Sequence, residues 1–444
     1  MQIKLGNYPE IYHLLHSLGV GVLLGGLLVL SACHGRGGPA PETPDDLVRK
    51  YLGLALELGE RDPDSLDFYI GADPALDKLR AAPEVLAGLH DSALALSTQV
   101  RDMAEGTSFD AARKALLLAQ IDALALRTEE LRGVNRPFDE ESKVLFGIVA
   151  PPDNDAASRA TARAQLARLL ANDKDPAAAY ARYDAQFVVR PDRVPAVMAA
   201  ALQECRALTL QHVSLPPGEH VDVRYVNLKP WSAFSRYMGD AHSVIEVNMD
   251  YPLTVDRIVN LACHEGYPGH HVFNTMRDLT LVRGEHLDEF RVQTTFSPQS
   301  YVSEAAASYA PSMVLSDAER LHIEQDLLFP IAGLKGLDCR RYLEVQRLID
   351  SLHTAEPSIA RDYLDGRLEF ARAAAALERE TLMQHGETTL LYLNEYRSYM
   401  LSYTLGVDTV KAIVEAEHPT EAERWQRYSN LMTNPVLSLP SAGN

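Results

Sequence analysis

The chain has 444 residues, 46% of them hydrophobic and 23% charged, the balance of an ordinary folded protein with ample material for a core. Its 42 basic and 61 acidic residues leave a net charge of −19, which argues against nucleic acid or an anionic lipid surface as a partner. Four cysteines (Cys33, Cys205, Cys263, Cys339) show no CxxC spacing, so neither a disulfide scaffold nor a cysteine-based zinc site is indicated.

The first element is an apolar, glycine-rich run over 18–32, shorter than the roughly 20 residues of a membrane span. It ends in Leu30-Ser31-Ala32-Cys33, which resembles the bacterial lipobox. That resemblance implies a signal peptide over 1–32, cleavage before Cys33 and lipidation of its sulfur. Residues 33–44 then read as a flexible tether. A lipid-anchored protein of the bacterial cell envelope is expected, its mature domain in the periplasm or otherwise outside the cytoplasmic membrane, with that anchor as its only membrane contact.

From 45 to 210 the pattern predicts a helical N-terminal part, with amphipathic helices at 45–61, 83–105, 109–132, 156–171 and 194–209. No cluster of catalytic residue types falls in it. At Pro216-Pro217-Gly218 the pattern changes. Alternation predicts strands at 221–226 and 243–248 in a small sheet, with an aromatic, glycine-containing stretch at 231–240 between them. A helix follows from Thr254, a suitable N-cap. Helices return near 300–327, 334–353, 356–385, 387–404 and 407–416, so 211–444 forms a second, catalytic-looking part continuous with the first. The 243–248 strand lies where many zinc peptidases bind substrate backbone as an added strand.

The 254 helix leads into His264-Glu265-Gly266-Tyr267-Pro268-Gly269-His270-His271. Imidazole nitrogens bind zinc, and a carboxylate beside them can take a proton from a water. The usual spacing is H-E-x-x-H, and here Pro268 occupies the second histidine's place. On a straight helix His270 is out of phase and His271 is about 10.5 Å further along the axis, so neither can share an ion with His264. Pro268 and Gly269 can break the helix. Looping out two residues brings His270 into reach and looping out three brings His271; two is the smaller distortion. Cys263 is a further candidate ligand, though a buried small apolar role suits it better. A third ligand is needed, and Glu304, in the small apolar helical stretch Ser303-Glu304-Ala305-Ala306-Ala307, is a carboxylate that burial would leave unpaired without a partner.

These segments, with Lys229-Pro230-Trp231, Ser243-Val244-Ile245-Glu246-Val247-Asn248 and Tyr396-Arg397-Ser398-Tyr399-Met400-Leu401-Ser402-Tyr403-Thr404-Leu405-Gly406, resemble the domain of unknown function 885 family, strongly from about residue 185. The family is grouped with zinc metallopeptidases of the gluzincin type. The resemblance implies a mainly α, two-lobed metallopeptidase-like fold with a small antiparallel β-sheet beside the metal helix. It implies Zn2+ as cofactor, His264, His270 and Glu304 as its ligands, and Glu265 as general base. His271 is left to support the site or face substrate. The chain departs from the family at Ala305, where members often carry glycine, and a Cβ there is expected to narrow the cleft.

A peptide or small amide is the expected substrate. Tyr403, with Tyr399 and Tyr396 at helical spacing, is the candidate donor to the oxyanion. Arg397 is the candidate to bind a substrate carboxylate, and His242 is a further donor. Two rival readings share these residues: a lipid-tethered binding protein without metal, and a zinc amidohydrolase acting on a non-peptide amide.

Overall fold

The computed structural model describes residues 42–434, except 107, 172, 173 and 230. The leader, Cys33 and most of the expected tether lie outside the described residues. The chain is mainly helical, with helices in each range that apolar periodicity marked and others at Pro74–Ala81, Phe138–Phe146 and Pro176–Asp184 outside those ranges. Pro44–Arg61 opens on a capping box, in which Thr43 and Asp46 cap each other's backbone amides. Leu86–Asp102, Ala111–Leu131, Ala156–Leu169 and Val194–Thr209 follow. The 300–327 run divides into Pro298–Val314 and a helix from Asp317, because Leu315 is extended and Ser316 with Glu319 forms a second capping box. The described chain ends on Glu421–Thr433, beyond the expected helices.

Among the described residues there are five strands: β1 (Leu66–Tyr69), β2 (His220–Val226), β3 (Ala233–Gly239), β4 (His242–Asn248) and β5 (Val292–Thr294). β1 pairs with β5, and the other sheet has the order β2-β4-β3. β3 and β4 are joined by Asp240-Ala241, both at positive φ, as in a two-residue hairpin. β2 lies on the other side of β4 and runs parallel to it. Antiparallel pairing, as expected, joins β3 to β4 and β1 to β5, and β2 is the strand that departs from it. A central β4 has no free edge, so a substrate cannot add to 243–248. The open edge beside the cleft belongs to β3.

One large core draws on both halves of the chain: Phe138, Phe187 and Met198 pack with Ile258, Tyr301 and Leu401. Cys205 and Cys263 form a disulfide across 58 residues, with Cα atoms 5.8 Å apart. Cysteine spacing indicated no disulfide scaffold, and this single bridge was not legible in it. Local spacing reveals paired or chelating cysteines, whereas this bond joins the Val194–Thr209 helix to the residue just before His264. It also removes Cys263 from the candidate ligands.

Candidate metal centre

The helix Val255–Leu261 starts on Thr254, whose hydroxyl accepts from Arg257 N as expected. It continues as a π-helical turn over Ala262–Gly266 and then stops at an extended Tyr267. Gly269 N closes onto Cys263 O at 2.9 Å, and a new helix, His270–Arg277, begins. The octet is thus two helices joined by a turn, not one helix with a two-residue bulge. A Cβ on Gly269 would stand 1.8 Å from the His264 carbonyl oxygen, so the turn admits only glycine there. It brings the His264 and His270 rings edge to face, with centroids 4.8 Å apart.

Glu304 enters from the Pro298–Val314 helix, buried among its alanines. Its Oε1 lies 3.1 Å from His264 Nε2 and its Oε2 3.2 Å from His270 Nε2. Two serines of the same helix attend the other ring nitrogens: Ser303 Oγ is 3.4 Å from His270 Nδ1 and Ser308 Oγ 3.5 Å from His264 Nδ1. Both rings therefore turn Nε2 toward Glu304. Tyr399 donates its hydroxyl to Glu304 Oε2 at 3.1 Å. Glu265 stands one step out, 4.0 Å from His264 Nε2.

Electrostatics separate the two carboxylates. Burial opposes ionisation of Glu304, but the His264 and His270 imidazoles outweigh it and hold the acid far below the usual range. Burial dominates at Glu265 and raises its pKa, with the two imidazoles opposing. Burial pulls the His270 imidazole down, and the carboxylates of Glu304 and Glu265 more than reverse this, to about 9. Asp67, on the rim, is pushed up to about 6 by burial.

His264, Glu265 and His270 offer ligand atoms all within 4.8 Å of one another, and Glu304 reaches both imidazoles. Glu304 Oε1 is buried and accepts no hydrogen bond, despite its closeness to His264. Two imidazole nitrogens and an orphaned carboxylate oxygen are a donor set that fits zinc. Of the two acids, only Glu304 is within ligand reach of both rings.

The cluster lies where two cavities meet, one of about 870 Å³ and one of about 270 Å³, and His264, Glu265, Trp231, Tyr392 and Tyr403 border both. Tyr403 is 43% exposed and its hydroxyl is 3.4 Å from that of Tyr392, a residue the sequence reading missed. Tyr396 donates to Asp64 at 3.1 Å. The tyrosines do not share one regular helix, since Gly386–Tyr396 ends and a 3-10 turn covers 397–402.

Three expectations need correction, and one left open is decided. Arg397 is buried, with Nε 2.6 Å from Glu141, so it is not available to a substrate carboxylate. His242 sits on the sheet surface, Nε2 3.1 Å from Asp222, and lines neither cavity. His271, expected either to support the site or to face substrate, takes the supporting place, fully buried between Ser243 and Glu219. Ala305 does not narrow the cleft, because its Cβ packs against Gly406, where a second Cβ would meet it at 2.7 Å. Ser303, Ser308 and Glu219 were missed as well. Ser308 stands four residues after Glu304, a helical spacing legible in the sequence, whereas Ser303, the residue before it, carries no such signal.

No family model matches the chain, and no curated protein matches it in sequence. Among solved structures it aligns with a protein provisionally described as a lipoprotein from Colwellia psychrerythraea, at 11% identity and a TM-score of 0.47, over 88% of this chain and 76% of that one. It also aligns with the M32 carboxypeptidase from Deinococcus radiodurans R1, at 14% identity and a TM-score of 0.38, over 88% and 90%. Neither likeness assigns a role to a residue. Among the described residues no helix is long and apolar enough to cross a membrane.

Proposed function

We propose that the chain is a zinc-dependent hydrolase of amide bonds, with peptides as its first substrate class. His264, His270 and Glu304 hold the ion and Glu265 serves as general base. The observation that carries this reading is the Glu304 carboxylate, buried between two imidazole Nε2 atoms at 3.1 and 3.2 Å, with a second carboxylate of raised pKa beside them. Zinc held there supplies Lewis acidity, which makes a water more acidic and polarises a carbonyl. Glu265 takes the proton of the attacking water and delivers it to the leaving nitrogen; burial raises its proton affinity toward the range that task needs. Tyr403 and Tyr392, both on the cavity wall, donate to the oxygen that gains charge. Tyr399 holds Glu304 in orientation rather than touching substrate.

The open edge of β3 runs along the smaller cavity through Ala233, Phe234, Ser235 and Arg236. A substrate backbone can lie against it. Arg236 stacks over Phe234 at 5.3 Å and makes no ion pair among the described residues. It replaces Arg397 as the group that receives a substrate carboxylate. An envelope location fits the Cys205–Cys263 bond, since disulfides persist in oxidising compartments.

The test is elemental analysis of the untagged protein followed by a substrate screen of peptides against non-peptide amides. One zinc per chain, lost in Glu304→Ala, and zinc-dependent cleavage of peptides are expected. Cleavage of amides alone moves the assignment to an amidohydrolase, and absence of bound zinc removes the hydrolase reading.

A further inference from the structure

A second constellation of metal-ligating side chains lies on the three-stranded sheet. His220 and Asp222 project from one face of β2, two residues apart as the strand period requires. The parallel register sets His220 opposite His242 of β4. The His220 and His242 rings stack with centroids 4.1 Å apart, and His242 Nε2 lies 3.1 Å from Asp222 Oδ2. One ligand atom from each of the three residues falls within 4.8 Å of the others. His220 Nδ1 is 3.0 Å from Gly218 O; a carbonyl can only accept, so Nδ1 carries the proton and Nε2 keeps its lone pair. Two imidazoles and a carboxylate, two of the three residues exposed and one half-buried, are accessible from solvent without opening the fold.

We propose that His220, Asp222 and His242 bind a first-row divalent transition-metal ion, of the zinc, copper or nickel class, at a site separate from the cleft. The donor chemistry selects that class. Nitrogen-rich sets suit these borderline ions, whereas calcium and magnesium require mainly oxygen ligands. The paired separation of 3.1 Å between His242 Nε2 and Asp222 Oδ2 is close to the spacing of two ligands on one tetrahedral ion with bonds of about 2.0–2.2 Å. Binding requires the two stacked rings to splay about their side-chain torsions, a movement the exposed face permits, and His242 Nε2 to release to solvent the proton it now donates to Asp222, so that both nitrogens present lone pairs to the ion. Three protein ligands leave a position for water.

The ion would tie the outer strand β2 to the central strand β4 at their first residues. That placement gives the site a connection to the cleft. Glu219, the residue before His220, is buried and holds both Tyr267 and His271 from the octet. Ser243, the residue after His242, holds the other nitrogen of His271. Both strand ends that the ion joins thus continue into the support behind His270.

The inference does not depend on the cleft binding zinc, and one measurement distinguishes the two sites. Untagged wild-type protein and His220→Ala/His242→Ala are dialysed against micromolar free zinc and their zinc content is measured. A loss of one equivalent in the double variant supports the surface site, whether the wild type holds two ions (both sites filled) or one (the cleft empty). Equal content in the two proteins overturns it. Because alanine at two strand positions can perturb the sheet, copper(II) bound to a protein whose cleft site is disabled provides a second readout. Its electron paramagnetic resonance spectrum at one equivalent added to the Glu304→Ala protein should show coupling to two imidazole nitrogens, and His242→Gln in that background should reduce this to one. A spectrum unaltered by His242→Gln also overturns the proposal.

Discussion

Glu219 Oε2 lies 3.0 Å from His271 Nε2, and this contact settles which of two adjacent histidines faces the cleft. Ser243 Oγ takes the other nitrogen at 2.8 Å, so the His271 ring is satisfied on both sides and His270 alone remains for the site. His270→Ala should therefore lose its zinc, whereas His271→Ala should keep it and unfold more easily, by about 1–3 kcal/mol for a buried polar group left unpaired. Zinc content with urea titration checks the pair. Equal zinc loss in both would reverse the assignment.

The same contact makes Glu219 an acid-sensitive brace. Burial raises its pKa, but hydrogen bonds from His271, Tyr267 and Arg206 prevail and hold it near about 2, below its ordinary 4.5. A carboxylate more acidic in the folded than in the unfolded chain contributes its full stability above the unfolded pKa. That contribution is lost as pH falls through 4.5 toward 2. Wild type should exceed Glu219→Gln in stability at pH 7, and the gap should shrink between pH 4.5 and 3. A gap independent of pH in urea titrations would show that the ionised form is not what matters.

Glu265→Gln keeps the shape and removes the base. Turnover of a peptide substrate should fall by about 100-fold or more, while zinc content stays at the wild-type level. Full activity in a zinc-replete variant would sink the role given to Glu265.

Arg236→Ala should raise KM for peptides with a free carboxylate and leave kcat nearly unchanged, because the contact is the same in ground and transition states. Peptides amidated at that end should not distinguish variant from wild type. Arg397→Ala behaves differently: it strands the buried Glu141 and should reduce stability rather than binding.

The Cys205–Cys263 bond closes a loop of 58 residues, which the chain-entropy model values at about 4 kcal/mol. Reduced protein, or Cys205→Ser/Cys263→Ser, should unfold at lower urea. It should also hold zinc more weakly, since Cys263 immediately precedes His264. Unchanged zinc affinity after reduction would show that the bridge supports the fold without supporting the ligand.

What the sequence disclosed follows from the range of each interaction. Long amphipathic helices and the alternating strands β2 and β4 are encoded locally, so their positions were readable. β3 was hidden in its aromatic stretch, and β1 and β5 are four and three residues long, paired across more than 200 positions. Glu304 was legible because an acid in a run of alanines demands a partner. The burial of Arg397 and the bridge from Cys205 were not, since each depends on a segment far away in the chain. The parallel course of β2 was also invisible, because alternation gives a strand's faces but not its direction.

Gly269, pressed against the His264 carbonyl, shows that the octet carries two kinds of information. His264, Glu265 and His270 specify reactivity, while Pro268 and Gly269 specify curvature and Tyr267 and His271 anchor the bend to Glu219. The number of letters between the first and second histidine is thus a property of the connecting turn. Two chains could present the same trio in space with different intervals, provided each supplies its own hairpin of backbone and its own buried anchor. A search keyed to interval would separate such chains, and a search keyed to the trio and its anchoring acid would unite them.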